Sequence, residues 1–443
     1  MSHLVSDIWC LASKRQLVVR KLQPGQSITA DGQLDEEAWA ETPWSAPFED
    51  IEGDLGPPPQ FETKVKMRYD DSCLWVAAYM EEPQAWATQQ ETNSIVYLDN
   101  DFEVFVDPNG DNHYYKEVEI NAHGASWNLL LVQPYVDGGP AVCNGTLATM
   151  CASNYSSPSS SSSPSPGPSV PAWDLSSSLR AGVSVDGALN DPAVGSKGWS
   201  AEMCLPLKEY VKYEEGVNLP PRGGDYWRIN FSRVQWTVKV ASEGGSEVYV
   251  KDEEAPPSNW VFQPMGVTNM HLPERWGYAY FSEEPAKGGR QGGREGVIEE
   301  GPRDPKWPMR EALAQVYEAQ KVYTTLYGGG VSYTDSVNAL VLNGHLSTHV
   351  AQGFCAGIPE IEKTGGSGGA GGGYVASVRS ADMAGVVGHV DETRRMWFTG
   401  EDGAGRGKEG ESPDREAPLQ RPHEQPAVSK GTGSGRRRGM LRV

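Results

Sequence analysis

Two carboxylates, Glu103 and Glu119, fall in two short segments that alternate apolar and polar residues, Asp101 to Asp107 and Tyr114 to Asn121. Alternation at period two marks strands with one face buried and one face solvated. Phe102, Val104 and Val106 share a face with Val118 and Ile120, while Glu103, Glu119 and Asn121 take the other. Carboxylates and amides hydrogen-bond hydroxyl groups, and aromatic rings cover the apolar faces of sugars. Such a face suits a polyhydroxylated ligand; an ordinary solvated sheet face is the alternative. Two carboxylates on adjacent strands also meet the first need of a glycoside hydrolase, an acid and a base or nucleophile some ångströms apart. Arg228, Asn230 and Ser232 share one face of a further strand. From there Arg228 is expected to neutralise Glu103 and Glu119 across the sheet. Trp75, Trp199 and Trp227 sit among apolar strand neighbours and read as core, whereas Trp127, Trp236 and Trp260 lie near strand ends or in loops, where ligands are met.

The elements that must position these residues are mostly strands. Thr63 to Tyr69 and Leu74 to Met80 flank an Asp70-Asp71-Ser72 turn, a hairpin signal. Further strands are expected over 101–107, 115–121, 126–132, 179–185, 198–205, 226–234 and 276–281. Residues 28–44 read as a strand, an Asp31-Gly32 turn and a short helix with acids in its first turn. Many strands with turns between them and few long helical periods point to an all-β, antiparallel β-sandwich. Trp307 to Tyr327 carries Leu313, Val316, Tyr317, Val322 and Tyr323 at helical spacing and adds one short C-terminal helix.

Composition sets the limits. The chain has 443 residues, 38% of them hydrophobic, with 51 Gly and 32 Pro that point to long unstructured stretches, while aromatic and β-branched residues concentrate between Leu17 and Phe281. A net charge of −21 argues against nucleic-acid binding through bulk electrostatics. No run of about 18 apolar residues occurs, so no membrane-spanning helix is expected, and Met1 to Val19 makes a poor secretory signal. The organisation expected is a poorly ordered N-terminus (1–19), a sandwich (20–285) with a disordered Ser/Pro insertion (143–172), a linker (286–305), a helix (306–328) and a mostly disordered tail (329–443). Cys73 and Cys204 read as buried free thiols, and Cys143 and Cys151 as a pair only in an oxidising compartment. Asp99, Asp101 and Asp107 offer hard oxygen ligands for a structural calcium ion, although their spacing is no recognised calcium loop. No other cofactor is expected.

Several spaced motifs occur together: Ile28-x-x-Asp31-Gly32-x-Leu34-Asp35-Glu36-x-x-Trp39, Val65-x-Met67-x-Tyr69-Asp70-Asp71-x-x-Leu74-Trp75-Val76-Ala77, Asp99 to Pro108, Gly198 to Glu202, Trp227 to Val234, and Asn269 to Gly277. In that order they resemble carbohydrate-binding module family 9, over roughly residues 24–282. The resemblance implies a DOMON-like β-sandwich that binds sugars without cleaving them, glucan and xylan chain ends among them, often beside a glycoside hydrolase partner. It assigns an aromatic wall to Tyr97, six residues before the strand glutamate Glu103, and a polar sugar contact to Asn230. A basic residue of the family falls at Glu119, reversing its charge, and the second aromatic wall falls at Met270-His271, leaving Trp260 or Trp236 to close the cleft. Related sandwiches also bind haem b through Met or His, so Met270 or His271 with His113 or His123 forms an alternative, electron-transfer reading.

Overall fold

The computed structural model describes residues 14–139, 141–143, 173–285, 301–330, 332–354, 356–365 and 372–400. Alternating apolar residues give β1 (Gln16–Lys21), β2 (Glu49–Asp50), β3 (Thr63–Tyr69), β4 (Cys73–Glu81), β5 (Asp101–Asp107), β6 (Tyr115–Asn121), β7 (Ser126–Leu131), β8 (Ala141–Cys143), β9 (Arg180–Gly187) and β10 (Ser196–Pro206). They continue as β11 (Tyr226–Gln235), β12 (Val238–Glu243), β13 (Ser246–Lys251), β14 (Ser258–Val261), β15 (Gly277–Ser282), β16 (Glu360–Thr364), β17 (Gly373–Arg379), β18 (Val387–Asp391) and β19 (Met396–Thr399).

The main sheet runs β8-β7-β6-β5-β11-β15-β1-β3-β4-β10-β9 and curls over on itself, so that two layers face each other as a sandwich. The turning point is β1, which pairs in parallel with β15 through Gln16–Arg20 and with β3 at Arg20–Lys21. These are the parallel pairings in an otherwise antiparallel sandwich. The interior is filled from both layers: Val65, Met67, Val76 and Met203 from one, Phe102, Val104, Ile120, Phe231 and Phe281 from the other. Removing such side chains from water is the main stabilising term. β1 begins at Gln16, inside the segment 1–19 expected to be poorly ordered, and Leu17 and Val19 are core.

The Asp31-Gly32 turn and Trp39 are locked to β10 by Glu202. Its carboxylate accepts the Trp39 indole N–H at 2.6 Å, the Gly32 N–H at 2.8 Å and the Asp31 N–H at 3.2 Å. Gly32 has φ +86°, and a side chain there would run into the Val183 backbone. The segment before it has no strand, because residues 28–30 pair with no neighbour among the described residues. Cys73 and Cys204, expected as free thiols, form a disulfide. Both sit on strands β4 and β10, which lie side by side with Pro206 opposite Cys73 and Cys204 opposite Trp75, a proximity that sequence distance conceals.

The helix Trp307–Leu326 forms as expected, with Leu313, Val316 and Tyr317 buried. The region after it departs from the expected tail. Helices Val337–Leu342 and Thr348–Ala351 and a sheet in the order β16-β17-β18-β19 pack Leu340, Val350, Ile361, Tyr374, Ala376, Val378, Val390 and Met396 against it. This unit supplies only a few apolar residues per strand and needs the helix to complete its core, so composition alone reads as disorder. Within the expected linker, residues 301–305 are described and Asp304 is buried. The Ser/Pro insertion from 144, Cys151, residues 286–300 and the chain beyond 400 lie outside the described residues. Among the described residues no helix is long and apolar enough to cross a membrane.

Candidate functional site: an acidic sheet face under an aromatic rim

On the outer side of β5 and β6 the register places Glu103 opposite Glu119, Phe105 opposite Glu117 and Asp101 opposite Asn121. β11 adds Ser232 opposite Glu103 and Asn230 opposite Phe105, and β7 adds Trp127 opposite Glu119. Period-two alternation identifies the strands correctly, yet this second face is not solvated. Glu103, Glu117, Glu119 and Asp101 are all buried. A second apolar cluster, with Leu129, Val261, Met265, Met270, Leu272 and Trp276 around Phe105 and Tyr115, covers its lower part.

Arg228 does not neutralise these acids. Its guanidinium donates to the Glu274 and Trp276 carbonyls, both at 3.1 Å, and lies 4.6 Å from the Tyr278 ring centre. It pairs with Asp107, at the far end of β5 from Asp101. No ion pair reaches Glu103, Glu117 or Glu119 among the described residues. Burial pushes the Glu103 carboxyl up to about 7. Burial, reinforced by Glu103, Glu117 and Glu119 acting on one another, holds Asp101, Glu117 and Glu119 well above the ordinary carboxylate range. One oxygen each from Asp101, Glu103 and Glu119 lie within 4.8 Å of one another.

Half-buried aromatic rings form the rim. Tyr97, from the turn before β5, lies 5.9 Å from Trp127. Tyr135, on the loop after β7, stacks edge-on to His271 at 4.5 Å and feels the charges of Glu117 and Glu119. Trp236 stands behind this rim: its indole N–H donates to the Tyr97 carbonyl at 2.9 Å, its backbone N–H donates to Asn100 Oδ1 at 2.7 Å, and the Lys251 ammonium covers its ring at 4.0 Å. Lys251 ends the β12–β13 hairpin, whose Gly244-Gly245 turn takes positive φ at both residues, a hairpin signal overlooked because only Val238 and Tyr249 of the ribbon are buried.

The structure thus brings Tyr97, Glu103 and Trp236 together and separates the other expected site residues from them. Asn230 is fully buried and spent on the chain: its Nδ2 donates to the Gln263 carbonyl and its Oδ1 accepts the Gln263 N–H, both at 2.9 Å. Trp260 points into the sandwich interior, between Phe61 and the Arg233 guanidinium, because β14 presents its next residue, Val261, to the outer face. His271 is packed around by Phe105, Tyr115 and Tyr135, and its Nδ1 shares a hydrogen bond with the Tyr115 hydroxyl at 3.1 Å. Burial holds its pKa down to about 3. His113 Nε2 is likewise engaged, by the Thr393 carbonyl at 2.9 Å.

The three aspartates considered for calcium do not converge. Asp99 accepts the Thr88 N–H, the Gln89 N–H and the Asn121 amide, and Asp107 accepts the Gly110 and Asn112 N–H groups. A second carboxylate group, Asp107, Asp111 and Glu214, is already served by a cation: the buried Lys116 ammonium donates to Glu214 and to the Lys212 carbonyl. A cavity of about 520 Å³ lies elsewhere, lined by Lys14, Arg275, Glu311, Gln315, His345 and Leu346. Sequence reasoning reached Glu103, Glu119, Trp127 and Tyr97, and Asp101 only as a calcium ligand, but missed Glu117 and Tyr135. The strand parity of Glu117 was legible; the approach of the Tyr135 loop was not.

Residues 30–128, which hold Tyr97, Glu103, Glu119 and Trp127, match the family described as "Carbohydrate family 9 binding domain-like". No curated protein gives a match. Among solved structures, a putative carbohydrate-binding protein from Bacteroides uniformis is 15% identical over 61% of this chain and all of that one, with a TM-score of 0.40. A family 9 carbohydrate-binding module from Caldicellulosiruptor kristjanssonii, solved with cellotriose, is 14% identical over 65% of this chain and all of that one, with a TM-score of 0.34. The same organism's module solved with glucose is 14% identical over 61% of this chain and 97% of that one, with a TM-score of 0.35. Residues 30–128, the part that resembles carbohydrate-binding module family 9, lie within the β-sandwich.

Proposed function

We propose that the chain binds carbohydrate without cleaving it, at the rim of Tyr97, Trp127 and Tyr135 above Glu103 and Glu119. The observation that carries this reading is the pair of half-buried rings, Tyr97 and Trp127, 5.9 Å apart beside buried hydrogen-bond acceptors. A pyranose presents an apolar face to a ring and hydroxyls to carboxylates at its edge, so this rim offers both kinds of contact. The family match over residues 30–128 covers Tyr97, Trp127 and both acids and supports the same reading. Glucan- or xylan-type chains, and a role beside glycoside hydrolases in carbohydrate breakdown, are the finer form of the proposal.

The test is a glycan array followed by calorimetry with gluco- and xylo-oligosaccharides on the parent, Tyr97→Ala and Trp127→Ala, with circular dichroism to confirm folding. Each truncation removes one stacking face and weakens binding about tenfold, on the order of 1–1.5 kcal/mol. Variants that bind as the parent does, or a parent that binds no sugar at millimolar concentration, overturn the proposal.

A further inference from the structure

The cavity of about 520 Å³ lies apart from the acidic face and has a chemistry of its own. One wall is the helix Trp307–Leu326, where Glu311, Ala314, Gln315 and Glu318 share a face by their i, i+3, i+4 and i+7 spacing. The Pro273–Arg275 turn of the sandwich supplies Glu274 and Arg275, and Lys14 enters just before β1. Val341, His345 and Leu346 come from the end of helix Val337–Leu342 and the loop that follows it. The cavity therefore sits where the sandwich meets the C-terminal unit. Protein interiors are close-packed, so a void this large is not ordinary packing; small-molecule pockets run to roughly 300–1,000 Å³ and favour such junctions.

The charges around the cavity do not cancel. Glu274 and Glu318 share the Arg394 guanidinium, which is not part of the lining. Glu311 accepts from Gln315 Nε2 at 3.1 Å and supports the charge of Lys14, whose ammonium lies 5.6 Å from the Trp307 ring centre. Arg275 Nη1 donates to the Met265 carbonyl at 2.9 Å, but its guanidinium makes no ion pair among the described residues. Burial, with Arg228 and Arg275 nearby, brings the Lys14 ammonium down to about 8, against the pull of Glu311 and Glu274.

We infer that this cavity binds a small carboxylate with an apolar body, its acid group held by Arg275 and Lys14 and its body against Ala314, Val341 and Leu346. A guanidinium meets a carboxylate through two parallel N–H donors, and the Met265 bond uses Nη1, so the Nε–Nη2 edge is the one that takes the acid. A carboxylate beside Lys14 and Arg275 offsets their repulsion, which a neutral ligand leaves in place and a cationic one increases. The three apolar side chains give the rest of the ligand a surface to bury.

The experiment titrates the full chain calorimetrically with 1-naphthaleneacetate and with 1-naphthaleneacetamide, its uncharged match in shape. The expected result is one saturable site for the acid, filled below about 1 mM, and binding of the amide weaker by about tenfold or more. Arg275→Gln weakens the acid by about tenfold and leaves the amide unchanged, whereas Arg275→Lys, which keeps the charge, still prefers the acid. Val341→Trp, at a half-buried position on the wall, fills the space and removes binding of both. Circular dichroism confirms that each variant folds. Tyr97→Ala, at the sugar rim, binds the acid as the parent does, so failure of the sugar reading leaves this result intact. No saturable heat up to about 10 mM acid, acid and amide bound alike, or an Arg275→Gln or Val341→Trp variant that binds the acid like the parent overturns the inference.

Discussion

Replacing Arg394 by Met tests how the C-terminal unit is fastened to the sandwich. Arg394 sits at φ +72° in the β18–β19 turn and is almost fully buried. Its guanidinium bonds Asp137 at 2.7 Å, Glu318 at 2.8 Å and Glu274 more closely still, and lies 4.2 Å from the Tyr317 ring centre. Asp137 and Glu274 belong to the sandwich, and both side chains are 3% exposed. Met fills most of the stem's volume, so the cost comes mainly from the acids left behind. Asp137 keeps Lys321 at 3.1 Å and the Tyr317 hydroxyl, whereas Glu274 loses its one ion-pair partner among the described residues. Breaking a buried pair in this way costs about 3–5 kcal/mol. Urea denaturation followed by tryptophan fluorescence measures it, and the double variant Arg394→Met/Glu274→Gln recovers at least 1 kcal/mol because the stranded charge is gone. A single-variant loss below about 1 kcal/mol, or no recovery in the double variant, refutes the argument that this network is buried and coupled.

Three other outcomes follow from the same structure. Cutting the chain at Gly357 removes β16–β19 and exposes the helix residues Leu313, Val316 and Tyr317, so the truncated protein melts lower and binds hydrophobic dye, which a melt with dye reports. Cys73→Ala/Cys204→Ala opens a cross-link spanning 131 residues and lowers stability by about 4–5 kcal/mol on the chain-entropy account, measured by denaturation beside the oxidised parent. His271 has a folded pKa depressed to about 3 from 6.5, so the unfolded chain binds the extra proton between those values. Its contribution is therefore full above pH 6.5 and falls as the pH drops toward 3, by up to about 1.4 kcal/mol per pH unit, a slope that His271→Gln removes.

The sequence by itself determined the strands whose one face is apolar. Phe102, Val104, Val106, Val118 and Ile120 announce β5 and β6 because side chains alternate across any strand, whatever it packs against. Asp31, Gly32, Trp39 and Glu202 stood in separate motifs of the sequence, and the structure joins them: one carboxylate ties the turn and the indole to β10. The acids Glu103 and Glu119 were legible as neighbours on one face, since register follows from the apolar pattern.

Only the tertiary structure decided what lies over that face. Nothing in the local pattern of β5 and β6 says that loops carrying Met265, Met270 and Tyr135 will close over it and turn a wet surface into a buried cluster of carboxylates. Asn230 and Trp260 read as site residues until their neighbours Gln263 and Arg233 claimed them. Cys73 and Cys204 read as free because a disulfide depends on which strands lie side by side, not on sequence spacing. The sheet β16–β19 was hidden for a related reason: its core is completed by the helix Trp307–Leu326, well before it in the chain, and a half-core spread over short strands interrupted by a Gly-rich segment has no strong signal of its own. Periodicity is a property of one segment, while burial, charge balance and pairing belong to two or more.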